Sequence, residues 1–172
     1  MSWSKKSNVV LNFYLEEQIS LLANQLSFNI VITDGIRTPR MQVDRMYAKL
    51  NKTPPEDLTN VYANDEFANE VMDAYPDIDA GIAVVEKYMA FSTPSKHLTG
   101  LGFDVRTTGG EQGAPGRLSS SQINLVIAAA EQLGFSPFLE SDHLHIGVPA
   151  EKKNQLALVF ILGVLIWISR KS

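Results

Sequence analysis

Leu11, Leu15, Ile19, Leu22 and Leu26 recur at helical spacing, and the next apolar stretch, FNIVITDG, is a short β-branched run ended by a turn. This change of period constrains the fold more than any other feature, because the chain must combine helices with strands. Residues from about 10 to 26 read as an amphipathic helix and FNIVITDG as a buried strand. TPRMQVDRMYAKLNK opens a second helix with a proline suited to a first turn. TPPEDLTN breaks it, and DEFANEVMDAY and AGIAVVEKYMA supply further helices. LGFDVRT reads as a strand running into the loop TGGEQGAPG. SSSQINLVIAAAEQLGF has serines for an N-cap, Ile123, Ile127, Ala130 and Leu133 on one face, and Gly134 as its stop. SPFLE and HLHIGV form an antiparallel hairpin about the polar turn ESD. Helices early and strands late predict an α+β fold with a small antiparallel sheet packed by helices. One domain covers residues 1–150, and a hydrophobic segment follows over 151–172.

Composition narrows the function. With 172 residues, 45% hydrophobic and 20% charged, the chain has enough apolar mass for one packed core. A net charge of −4 argues against a nucleic-acid partner, which would need a basic surface. The absence of cysteine excludes disulfides, zinc–thiolate sites and cysteine nucleophiles, so a transition metal would have to rest on His, Asp and Glu. The first residues carry two lysines without a long apolar run behind them, unlike a secretory signal peptide.

The tail, KKNQLALVFILGVLIWISRK, is unbroken in its apolarity from Leu156 to Ile168. A helix of that run spans roughly 20 Å against a hydrocarbon core of roughly 30 Å. Its shortness favours a buried terminal helix or strand. Its apolarity on every face, with Lys153 and Arg170 as basic brackets, favours a membrane anchor, the reading carried forward.

Only three histidines are present, and they fall in two patches, SKHLTGLGFD (95–104) and SDHLHIG (141–147). A zinc hydrolase needs three protein ligands, an open position for water and a carboxylate to take the water's proton. His97 and Asp104 can supply two ligands from one loop-to-strand segment, with Gly100 and Gly102 letting the backbone turn sharply between them. His145 can be the third, and Asp142, three residues earlier, can face the open position. Each patch alone could equally be a surface loop or a polar edge strand. Strict alternation puts His143 and His145 on one face, so Asp142 has to sit in the turn, and otherwise His143 is a rival ligand. Glu140, farther from His145, is a rival base.

SKHLTGLGFD resembles the S-x-H-x-x-G-x-A-x-D motif of the zinc D-Ala-D-Ala carboxypeptidases and dipeptidases. That family includes the L-alanyl-D-glutamate endopeptidases of phage lysins, and the Hedgehog signalling domain shares its fold. SDHLHI is similar to the family's second motif, and ITDGIRTP (32–39) to the strand-and-turn element preceding the first. The resemblance implies that His97, Asp104 and His145 ligate Zn2+ and that Asp142 is the general base. It implies that Arg37 stabilises negative charge on the substrate or the tetrahedral oxyanion. Ser95 would orient the loop or touch substrate. Gly102 replaces the usual alanine, a mild change expected to loosen the loop. The segment from about 54 to 90 is long for the family and would shape the substrate cleft. The implied substrate is a peptidoglycan stem peptide. Family habit, the missing signal and the apolar tail together suggest a bacteriophage protein held to a virion or host-envelope membrane, beside virion proteins. The other expectation is a non-catalytic metal-binding module of a virion or membrane complex on the same fold.

Overall fold

The computed structural model describes residues 2–62, 64–91, 95–107, 117–140 and 143–149. Asp142, the loop 108–116 and the apolar run Leu156–Ile168 lie outside the described residues. Among the described residues, no helix is long and apolar enough to cross a membrane.

The fold is α+β. Strand β1 (Trp3–Lys5) leads into helix α1 (Phe13–Asn24) and strand β2 (Ile30–Asp34). Helices α2 (Pro39–Leu50), α3 (Asp65–Ala74) and α4 (Ile78–Met89) follow, then β3 (Gly102–Arg106), α5 (Ser120–Gln132), β4 (Ser136–Leu139) and β5 (His143–Gly147). Polar caps fix the helix starts. Asn12 accepts the Leu15 amide, so α1 begins later than its apolar stripe alone suggests. Thr38 caps α2 ahead of Pro39, and Ser119 with Gln122 forms a capping box on α5. Gly134, at φ 72°, turns the chain out of α5 into β4.

The sheet runs β1-β2-β3-β5-β4 and is mixed, which corrects the expected antiparallel sheet. The β2–β3, β3–β5 and β5–β4 pairs are antiparallel, but β1 lies parallel to β2. WSK is too short and too polar to announce itself as a strand. It is held there by pairing with Ile30, Val31 and Ile32.

Alternation divides the sheet into two faces. Ile30, Ile32, Phe103, Val105, Leu144 and Ile146 point into a core closed by Leu15, Ile19 and Leu22 of α1 and Ile123, Val126 and Ala130 of α5. Asp104, His143 and His145 point the other way. A second core, built from Val43, Met46, Phe67, Val71, Val85 and Tyr88, binds α2, α3 and α4 together. Leu98, next to His97, is buried in that second core.

Candidate metal centre

Two devices position the three expected ligands. Asp104 and His145 are register partners on β3 and β5, so the pleat alone brings their side chains to one place. His97 arrives from the turn before β3. Ser95 Oγ accepts the His97 amide, and the Leu101 amide closes the turn on Lys96 O. Gly100 takes φ 66°, a conformation that glycine adopts without steric cost.

Gly102 has a different task. A Cβ there would lie 2.7 Å from Lys96 Cβ and 3.1 Å from His145 Cε1. Its missing side chain is a packing requirement, not the loosening anticipated from the sequence.

The donor atoms form a tight triangle. His97 Nε2 is 3.1 Å from Asp104 Oδ1 and 3.1 Å from His145 Nδ1, and the last two are 2.9 Å apart. The tautomer of His97 follows from its other nitrogen. Nδ1 faces the Gly35 carbonyl, which can only accept, so Nδ1 carries the proton and a neutral His97 turns the Nε2 lone pair inward. That lone pair, a carboxylate oxygen and the His145 nitrogen then converge with too few protons between them, an arrangement that a cation resolves. A zinc ion bonded at about 2.0–2.1 Å to three tetrahedral donors would hold them about 3.3–3.4 Å apart. The triangle is slightly tighter than that and has the right shape. His97, Asp104 and His145 are therefore a group that could hold a metal ion.

The surroundings keep Asp104 ionised. Without a metal, burial pushes its carboxyl up, but whenever the imidazoles carry a proton toward it, the hydrogen bonds from His145 and His97 and the charges of His97 and His143 overcome this and hold it well below the usual carboxylate range. Its outer oxygen, Oδ2, takes Arg37 Nη2 at 3.4 Å and faces His143 Nε2 at 3.5 Å, leaving Oδ1 for the metal position. His143 and His145 thus share a face, as alternation requires. His143 also reaches Glu140 at 3.4 Å. The hydrogen bond from His143, then the charges of His143 and Lys49, lower the Glu140 carboxyl against the opposing effect of burial.

Arg37 lies at the site, heavily engaged. Nε and Nη2 donate to Asp34 Oδ2 at 3.1 and 2.9 Å, and Nη1 donates to Gln42 Oε1 at 3.1 Å. Asp34 also holds Arg45 at 3.2 Å and accepts the Gly35 amide at 2.9 Å. Gln42, fully buried, donates onward to Tyr62 Oη at 3.0 Å. Burial pushes the Tyr62 phenol up to about 12, so it stays protonated at neutral pH.

The sequence reading missed Asp34, Gln42, Arg45 and Tyr62. Asp34 was hidden by its strand, since strict alternation would place it with Ile30 and Ile32 in the core. The β2–β3 register shifts between Ile32, opposite Val105, and Asp34, opposite Asp104. That bulge turns Asp34 to the site face. A carboxylate ending an apolar strand three residues before an arginine was the available signal. Tyr62 belongs to the long 54–90 segment, where nothing in the spacing singled it out. Asp142 is not among the described residues, so its expected place opposite the open position has no geometry here.

No protein-family model, curated protein or solved structure matches this chain.

Proposed function

We propose that this chain is a zinc-dependent peptidase acting on peptidoglycan stem peptides. The observation that carries the proposal is the convergence of the His97, Asp104 and His145 donors, with the His97 tautomer fixed by Gly35. Order and spacing of the three motifs supply the reaction class by resemblance. When bound, zinc polarises the scissile carbonyl and makes water a better nucleophile at neutral pH. The residues do the rest. His97, Asp104 and His145 would hold the ion on two interior strands and a tied-down turn. Asp142 takes the proton from water and returns it to the leaving amine, with Glu140, in contact with His143, the rival carboxylate. Arg37, beside Asp104 Oδ2, leaves Oδ1 toward the metal position and would add positive charge where the oxyanion develops. Leu156–Ile168 would anchor the enzyme to a membrane, which suits a phage protein that reaches the wall from a virion or the host envelope.

The test is zinc analysis of the purified protein with mass spectrometry of digested cell wall. Stoichiometric zinc and release of defined muropeptides, both lost in His97→Ala and the second lost in Asp142→Ala, are expected. A protein without zinc, or an Asp142→Ala variant as active as wild type, would end the proposal. One observation favours a non-catalytic metal module instead: Arg37 is committed to Asp34, Asp104 and Gln42. Zinc bound at full occupancy with intact stem peptides after prolonged incubation would select that reading.

A further inference from the structure

The cations around the metal-site face are nearly all committed. Arg37 and Arg45 hold Asp34, and Lys49 bridges Glu56 and Glu140. Arg40 pairs with Asp44, one turn along α2, and Arg106 has a partner of its own. Lys96 differs. It is exposed, and among the described residues its amine has no acidic partner.

Its stem is nonetheless fixed beside the metal position. Gly102 and Gly147 are register partners on β3 and β5. A Cβ at Gly102 would meet both Lys96 Cβ, at 2.7 Å, and the His145 ring, at 3.1 Å, while one at Gly147 would lie 3.5 Å from Lys96 Cγ. The missing side chain at Gly102 therefore lets the lysine stem lie across the sheet, with Cγ in ordinary packing distance of Gly147, and the amine emerges three bonds beyond Cγ into solvent. On the far side of His145 stands its β4 register partner, Phe138, 63% exposed. Register places Phe138 on the same face as His145. An uncommitted ammonium and an exposed aromatic ring thus flank one metal ligand.

We propose that Lys96 binds the free α-carboxylate of a peptide's terminal residue, whose apolar side chain rests against Phe138. The inference depends on the peptidase reading and narrows it, from stem peptides in general to removal of a terminal residue. A flexible ammonium with three donors suits a carboxylate that arrives and leaves with each turnover, whereas the guanidinium of Arg37 is locked in place. Lys96 is a specificity-determining residue here, separate from the ligands and the base.

The experiment uses the zinc-loaded full-length protein and two probes: a stem pentapeptide with a free terminal carboxylate and the same peptide amidated. A charge-assisted hydrogen bond predicts that wild type favours the free acid at least about tenfold in kcat/KM, chiefly through KM. Lys96→Met should abolish that preference. Lys96→Glu should reverse it toward a peptide ending in a cationic aminoethylamide, a reversal that a purely structural lysine would not give. NMR titration with the two peptides reads the same order without turnover, and zinc content is measured for every variant. An unchanged acid-to-amide ratio in Lys96→Met overturns the proposal, as does a wild type indifferent to amidation. If wild type binds the free acid through Lys96 yet cleaves neither peptide, carboxylate recognition stands and the peptidase reading falls.

Discussion

Replacing Gly102 by alanine restores the residue type that the resembling motif carries at this position, yet the structure predicts harm. The new Cβ would stand 2.7 Å from Lys96 Cβ and 3.1 Å from both the Lys96 carbonyl carbon and His145 Cε1. Carbon pairs are most stable at about 3.5–4.0 Å, so the first contact has to be relieved by movement. Lys96 Cβ is the root of its side chain and moves only with the backbone of the turn that presents His97. Overpacking of this kind costs about 1–3 kcal/mol, against about 0.4–1 kcal/mol recovered from the lower entropy of the unfolded chain. The net loss is about 1–2 kcal/mol, roughly 2–8 °C in Tm for a chain of this length. Gly147→Ala is the internal control. Its nearest neighbour would be Lys96 Cγ at 3.5 Å, an ordinary contact, so the same substitution one strand away should be neutral or slightly stabilising. Urea denaturation of both variants in the presence of chelator isolates packing from metal binding. A competition titration with zinc then reads the displacement of His145 as weaker affinity in Gly102→Ala alone. If the two variants are equally stable, or Gly102→Ala is the more stable, the packing argument is wrong.

Other perturbations separate the parts of the centre. His97→Ala should remove the zinc-dependent rise in thermal stability, which for wild type at a hundredfold excess over Kd amounts to about 2.7 kcal/mol. Asp34→Ala strands Arg37 and Arg45 beside a buried ligand and should cost about 3 kcal/mol in urea denaturation. Equal stability would show that Asp34 is dispensable. Asp104 has a depressed folded pKa, so without metal its ionised form stabilises the fold at higher pH. That contribution is complete above its unfolded value, about 3.9, and disappears as pH falls through the lower folded one. The acid limb of the stability curve should therefore be shallower in Asp104→Asn, and identical limbs would refute the assignment.

Much of this centre was legible because its ligands obey short-range rules. His97 and Asp104 flank glycines in one segment, and His145 sits on a strand whose alternation can be read directly. Pro39 and the serines before α5 made two helix starts readable, while the Asn12 and Thr38 caps and the part Gln122 plays emerged only in the structure. What stayed hidden depended on register. β1 exists only because β2 is beside it, and Asp34 faces the candidate metal site only because one residue is inserted in the β2 ladder. Tyr62 reaches the centre through Gln42, 20 residues from it in sequence. The sequence reading of Gly102 failed for a related reason, since the shape of a vacancy depends on the Lys96 stem lying across it.

Leu98 gives the ligand turn a second allegiance. Its neighbour His97 turns its ring to Asp104 and His145 on the sheet, while Leu98's own side chain is seated among the α2–α4 helices with Phe67, Val71 and Tyr88. The turn is thus a clasp between two folding units, and neither can open fully without disturbing the other's hold on it. Metal occupancy then becomes a gauge of helical order. Amide exchange in α3 and α4, which contribute no candidate ligand, should slow when zinc binds, and a cavity cut at Val71 should loosen the ion without touching a donor atom.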